Sequence, residues 1–156
     1  MTRDQETIEV RPGSRPVTTP RTPHLQLDQF SPEPVQRELW TRMIILDGIT
    51  AGRSLISAPS SRALHLAQGR AYGPDEAFLI GTEFAHLHGD GSGSLHLTLP
   101  RATVRTVLAA GWCEPHPAVA LGFAPPTTVM IFGPRDEYEL EVVWRLVAIS
   151  HEHALG

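Results

Sequence analysis

The first sustained pattern of apolar positions begins after Phe30. In SPEPVQRELWTRMIIL, residues 31–46, Val35, Leu39, Met43 and Leu46 recur at intervals of three and four. That spacing predicts an amphipathic helix, with Ser31 placed to cap it and Pro32 suited to its first turn, where a missing N–H costs nothing. The period then breaks into short apolar runs separated by Gly, Pro and Ser, which predicts loops and strands, the latter at 63–67 and 77–80. Two alternating runs follow, 83–88 and 94–99, and the turn-rich GDGSG between them makes a hairpin. PRATVRTVLAAG predicts a short helix, with Pro100 at its start, Val104, Val107 and Leu108 on its apolar face and Gly111 at its end. TTVMIFGP reads as a buried strand closed by Gly133 and Pro134. RDEYELEVVWRLVAISHEHAL predicts the longest helix: Asp136, Glu137, Glu139 and Glu141 crowd its positive end, and Leu140, Val143, Trp144 and Val147 form its buried stripe. With no internal repeat, this order predicts a single α+β domain over 31–156, an antiparallel sheet with helices packed on one face.

Residues 1–30 carry Pro12, Pro16, Pro20 and Pro23, four acids against four arginines, and no aromatic before Phe30. So little apolar area offsets little ordering entropy, and a flexible or loosely docked Pro-rich tail is expected. At 156 residues, 41% hydrophobic and 19% charged, the whole chain is long enough for one real core. No apolar run approaches the roughly 18–20 residues that span a bilayer, and the amino end lacks the apolar stretch of a secretory signal. The lone Cys113 excludes an internal disulfide framework, so a cytoplasmic protein is expected. A net charge of −4 without a basic stripe argues against nucleic acid as a partner. The absence of lysine and asparagine reflects the codon usage of a GC-rich bacterial genome.

Candidate chemistry gathers in the hairpin EFAHLHGDGSGSLHLTLP, 83–100, which holds His86, His88 and His96. Side chains alternate along a strand, so Phe84, His86 and His88 should share a face, as should Ser94, His96 and Thr98, while the leucines point to the core. If His88 pairs with Ser94, His86 lies directly opposite His96 and His88 lies diagonally across, with Cβ separations of about 4.5–8 Å. A His-x-His strand with a third histidine from its antiparallel neighbour can form a three-nitrogen metal site with an open position, suited to zinc or iron, and also to nickel or copper. Register is the critical condition, because a slip of one residue sends His96 among the leucines. The bland alternatives are a metal-free polar pocket and a solvated sheet face. Glu83 falls on the leucine side in regular geometry, so it should be structural, with an arginine as partner; only a bulge would bring it to the histidines.

GWCEPHPAV supplies Glu114 and His116, which can close the site if the chain returns beside the sheet. Phe84, Trp112 and Tyr72 are candidate apolar walls. Cys113 reads as a buried small hydrophobe, and His151 and His153 as favourable charges at the end of the last helix. His24 and His65 stand in no pattern. There is no nucleophile elbow, P-loop or dinucleotide fingerprint, and GDGSG joins two strands instead of opening a helix.

EFAHLHGDGSGSLHLTLP, GWCEPHP and MIFGPRDEYELEVVWRL together resemble a bacterial and fungal family of luciferase-like domains, over about residues 35–153. The resemblance implies that Glu83, His86, His88, Gly93, Ser94, His96, His116 and Pro117 belong to a recurring pattern. It does not itself imply light emission, since no flavin motif accompanies it. The favoured expectation is a small enzyme or enzyme-like domain that uses His86, His88, His96, His116 and Glu114 on a small organic molecule, by metal-assisted or histidine acid–base chemistry. Its rivals are a non-catalytic ligand-binding or interaction module on the same sheet face, and a structural subunit that forms a homodimer.

Overall fold

The computed structural model describes residues 7–156. Its elements run α1 (Glu33–Met43), β1 (Ile49–Arg53), β2 (Arg62–Leu66), β3 (Glu83–Leu87), β4 (Leu95–Thr98), α2 (Arg101–Ala109), β5 (Cys113–Pro115), α3 (Pro117–Ala120), β6 (Thr128–Ile131) and α4 (Glu137–Leu155). The strands form one six-stranded antiparallel sheet in the order β1-β2-β3-β4-β6-β5, and the α+β architecture is as the apolar pattern requires.

Each helix follows from local chemistry. In α4, the Asp136 carboxylate accepts the Glu139 N–H at 2.9 Å, an N-cap that the acidic first turn reinforces. Leu140, Val143, Leu146 and Val147 of α4 are buried against the sheet face that carries Leu87, Leu95, Leu97 and Val129. Leu39 and Met43 of α1 and Val104 and Val107 of α2 complete that layer. Burying one such leucine is worth about 1.5–3 kcal/mol, which makes this face the main source of stability. Among the described residues, no helix is long and apolar enough to cross a membrane.

The 77–80 strand does not form. After a short 3₁₀ turn at Asp75–Ala77 the chain folds back on itself, with the Leu79 N–H donating to the Glu83 carbonyl at 2.7 Å. Ile80 makes only an isolated bridge to Glu83, so these residues form the entry turn of β3 and have no neighbouring strand to extend.

The amino-terminal segment takes the docked alternative. Positions 1–6 of the expected tail lie outside the described residues; of the rest, Ile8 packs against the helix-side core and the Arg11 N–H donates to the Ala110 carbonyl at the end of α2, while Arg15 and His24 reach the other face of the sheet. Thr18 and Gln26 pair as a small antiparallel bridge. The Gln26 side-chain oxygen Oε1 accepts the Gly133 N–H at 2.9 Å, the Arg11 guanidinium lies 5.4 Å from the Phe132 ring centre, and Glu9 pairs with Arg145. Met130 and Phe132, fully buried yet outside the helix-side core, lie on this face. The apolar area that the tail lacks in itself is supplied by the sheet, and its polar groups find partners there.

The β3–β4 turn constrains this arrangement. Gly93 has φ of +74°, and a Cβ there would come within 2.5 Å of the Ser31 side chain and 2.9 Å of Gln36. Gly93→Ala therefore combines left-handed backbone strain with a clash against the start of α1, and a loss of about 2–4 kcal/mol is expected. Urea denaturation checks this, and a loss below 1 kcal/mol would show that the turn can move aside.

Candidate functional site

Five histidines meet on the face opposite the helices. The sheet register puts Ala63, His86, His96, Met130 and Glu114 in one transverse row across five strands, with His86 directly opposite His96. The neighbouring row of Leu87, Leu95, Ile131 and Cys113 points to the core, so the leucine-in, histidine-out alternation of the hairpin holds. The His88 N–H donates to the Ser94 carbonyl at 3.0 Å, which fixes the five-residue loop between them.

Two residues of β3 are inverted relative to simple alternation. His65 pairs with Glu83 while Leu64 pairs with Ala85, leaving Phe84 as an unpaired bulge residue. The bulge turns Phe84 into the core, where its ring centre lies 5.9 Å from that of His151 on α4, and turns Glu83 toward the histidines. Phe84 is thus no wall of the site. Glu83 is fully buried, and its partners are a histidine, a serine and a backbone amide instead of an arginine. It pairs with His86 Nδ1 at 2.8 Å and accepts from Ser54 Oγ at 2.8 Å and the Leu55 N–H at 2.8 Å. Burial alone would raise its pKa, but the bonds from His86, Leu55 and Ser54 hold it below the ordinary value.

The remaining partners are as specific. His88 Nδ1 lies 2.8 Å from Ser94 Oγ, which lies 3.0 Å from Ser92 Oγ, which in turn donates to Asp90 at 2.6 Å. His96 Nε2 lies 2.8 Å from His24 Nδ1, and His24 Nε2 lies 2.6 Å from Glu114. The other Glu114 oxygen accepts from Arg15. Burial opposes its ionisation, but hydrogen bonds from His24, Thr18 and Arg15 bring its pKa down to about 2.

With neutral rings, these bonds dictate the tautomers. Glu83 accepts the proton of His86 Nδ1, which leaves a lone pair on Nε2. Ser92 gives its one hydroxyl proton to Asp90, so Ser94 donates to Ser92 and must accept from His88 Nδ1–H; His88 Nε2 is left bare. Glu114 accepts His24 Nε2–H, His24 Nδ1 then accepts His96 Nε2–H, and His96 Nδ1 is left bare. The three bare nitrogens converge: His96 Nδ1 is 3.2 Å from His86 Nε2 and 3.0 Å from His88 Nε2. Burial followed by the neighbouring imidazoles pushes the His88 pKa down to about 3 and that of His96 well below its ordinary value.

Two sets of three histidines are close enough to hold a metal ion, His86 with His88 and His96, and His24 with His96 and His116. Tautomers separate them. In the second set His96 Nε2 carries a proton, and His116 Nδ1 already accepts the Ala118 N–H at 3.0 Å, which puts the His116 ring proton on Nε2. Only the first set offers three inward lone pairs.

These rings floor a cavity of about 290 Å³, with Leu25, Ile56, Leu79, Phe123 and Pro125 among its apolar walls. His116 lines it, as expected, but Glu114 does not reach it and touches the cluster only through His24. Trp112 is fully buried in the core and Tyr72 is exposed away from the cavity, so neither is a wall. Cys113 is buried, and burial pushes its thiol up to about 12, which leaves it unreactive. His65 bonds to the Arg53 carbonyl, and His151 to that of Asp47, both outside the site. His24 is the site residue that sequence pattern could not find, because only the docking of 7–30 brings it to His96.

An α+β domain presenting a buried, carboxylate-backed histidine cluster to an apolar cavity is what fold and site define. Residues 81–150 match the sequence model of the Luciferase domain family, which bears out the resemblance read from the hairpin, GWCEPHP and the last helix. Over 70 residues the chain is 37% identical to a luciferase of Armillaria ostoyae and 36% identical to those of Armillaria gallica and Neonothopanus nambi. The matched stretch covers 44% of this chain and 26% of each relative, about a quarter of their length. Residues 81–150 contain Glu83, His86, His88, His96, Glu114 and His116, while Arg15, Thr18, His24, Ser54 and Leu55 lie outside that stretch. No solved structure matches.

Proposed function

We propose that this domain is a small metal-dependent enzyme, in which His86, His88 and His96 hold one divalent ion, zinc or iron, at the base of a cavity for a small organic substrate. The observation that carries this reading is the set of three facing lone pairs. Nitrogens 3.0–3.2 Å apart with no proton between them repel, and a cation at their centre removes the repulsion. Metal–nitrogen bonds of about 2.0–2.1 Å in a tetrahedral site place ligand nitrogens about 3.3 Å apart, close to the separations observed. The outer partners fit as well: each ligand is backed, directly or through one or two residues, by a carboxylate, namely Glu83, Asp90 or Glu114. When bound, such an ion lowers the pKa of a coordinated water or polarises a carbonyl. Glu83, Ser94 and His24 orient the three rings, and Ile56, Leu79 and Phe123 give the cavity apolar walls. The name of the fungal relatives supports an enzymatic role, while the 26% coverage leaves their full activity outside this proposal.

Elemental analysis of the untagged full chain, purified without chelator, tests the reading. About one zinc or iron per chain is expected, and failure to take up either ion on reconstitution overturns it. A second expectation concerns Glu83→Gln. A glutamine amide can donate to His86 Nδ1, which moves the ring proton to Nε2 and into the centre of the cluster. Zinc affinity should fall about 10–100-fold, read by competition with a chromophoric chelator. Unchanged affinity would show that Glu83 does not set the tautomer.

A further inference from the structure

We infer that His116 is the hydrogen-bond donor that receives an oxygen or anionic atom of a ligand bound in the cavity, acting beside the metal and not as one of its ligands. The inference rests on the metal reading above and assigns a role within the same site. His116 stands just before α3, held between Pro115, the last residue of β5, and Pro117. Its Nδ1 caps α3 by accepting the Ala118 N–H at 3.0 Å, which fixes the ring in one orientation and in one tautomer. The proton on Nε2 has no protein acceptor among the hydrogen bonds of the described residues, although the ring lines the cavity. It is not stranded in the interior either, because the ring is only half-buried and opens to the cavity.

The position is close to the chemistry. The His116 ring centre lies 4.9 Å from that of His96 and 5.2 Å from that of His24. Among the described residues no arginine lines the cavity, and the chain has no lysine, so an anionic group there finds no side-chain cation. The lining also carries hydroxyls, those of Thr22, Ser57, Ser60, Ser61 and Thr128, but the metal and a preoriented N–H donor beside the histidine cluster are the pair placed to hold a negatively charged atom without reorganisation.

Cobalt(II)-loaded full-length protein provides the test, because its visible spectrum reports ligands entering the metal's open position. Azide serves as the anionic probe. His116→Asn separates the two functions of the ring: asparagine is a favoured N-cap and preserves α3, but it is too short to donate into the cavity. The variant should keep the cobalt stoichiometry and melting temperature of the parent and bind azide about tenfold more weakly. His116→Gln, longer and able to donate, should recover part of that loss. Azide affinity within twofold of the parent in His116→Asn overturns the donor role while leaving the metal site intact. Loss of cobalt from His116→Asn also overturns it, by making His116 a ligand. If the parent itself takes up no cobalt, the metal reading fails and this inference falls with it.

Discussion

Replacing His86 and His88 together by alanine should abolish metal binding. Apparent binding free energies of about 10–16 kcal/mol for four-ligand zinc sites correspond to about 2.5–4 kcal/mol per ligand. Removing two of three ligands then weakens binding by about 5–8 kcal/mol, roughly four to six orders of magnitude, beyond what survives purification. Elemental analysis beside the parent reads the effect directly, with circular dichroism to confirm equal folding. His65→Ala is the control: His65 is a histidine of the same sheet whose Nε2 bonds to the Arg53 carbonyl, and it should leave metal content unchanged. Full occupancy in the His86, His88 double variant would place the ion elsewhere and remove the basis for the proposed chemistry.

The metal-free protein should lose stability on acidification well before its carboxylates titrate. His88 titrates at about 3 in the folded chain and His96 well below its ordinary value, because burial and neighbouring rings disfavour their charged forms. In the unfolded chain both take up protons near pH 6.5. Below that value the unfolded state binds more protons than the folded state, so stability falls as pH falls, down to the folded pKa values. From pH 7 to pH 5 each ring accounts for about 2 kcal/mol, and the two together for about 4. Glu83 and Glu114 have depressed folded values; their contribution is present above about pH 4.5 and is lost as pH falls through those values, which steepens the decline. Urea melts in chelator at pH 7, 6 and 5 measure the slope. His88→Gln should flatten it by about half, and saturating zinc should shift the decline to lower pH, since the metal competes with the protons. A flat profile between pH 7 and pH 5 would mean that the rings charge without unfolding the chain.

What pattern could foresee follows from what is local. The spacing of Leu140, Val143 and Val147 dictates which face of α4 is buried, and the alternation of 83–88 and 94–99 around GDGSG dictates the β3–β4 hairpin. Given the pairing of His88 with Ser94, the encounter of His86 with His96 follows from alternation, and the structure has that pairing. The placements that alternation misjudged have definite causes. The bulge at Phe84 depends on pairing with β2, about twenty residues earlier, and one unpaired residue exchanges the sides of Phe84 and Glu83. Residues 77–80 have the composition of a strand, but a strand needs a neighbour and the fold offers them none. Trp112 and Tyr72 stand near site residues in sequence or composition, while the sheet carries one into the core and the other to the surface.

By itself, then, the amino-acid sequence determined the α+β class, the helices α1, α2 and α4, the hairpin and the common face of His86, His88 and His96, since each rests on periodicity and turn chemistry within a few residues. The tertiary structure alone decided that residues 7–30 dock onto the domain, that His24 joins His96 to Glu114, and that Glu83 faces the histidines. Those outcomes depend on contacts between residues tens of positions apart, where the pairing of strands and the demand that every buried polar group find a partner select one arrangement among many that the local pattern permits.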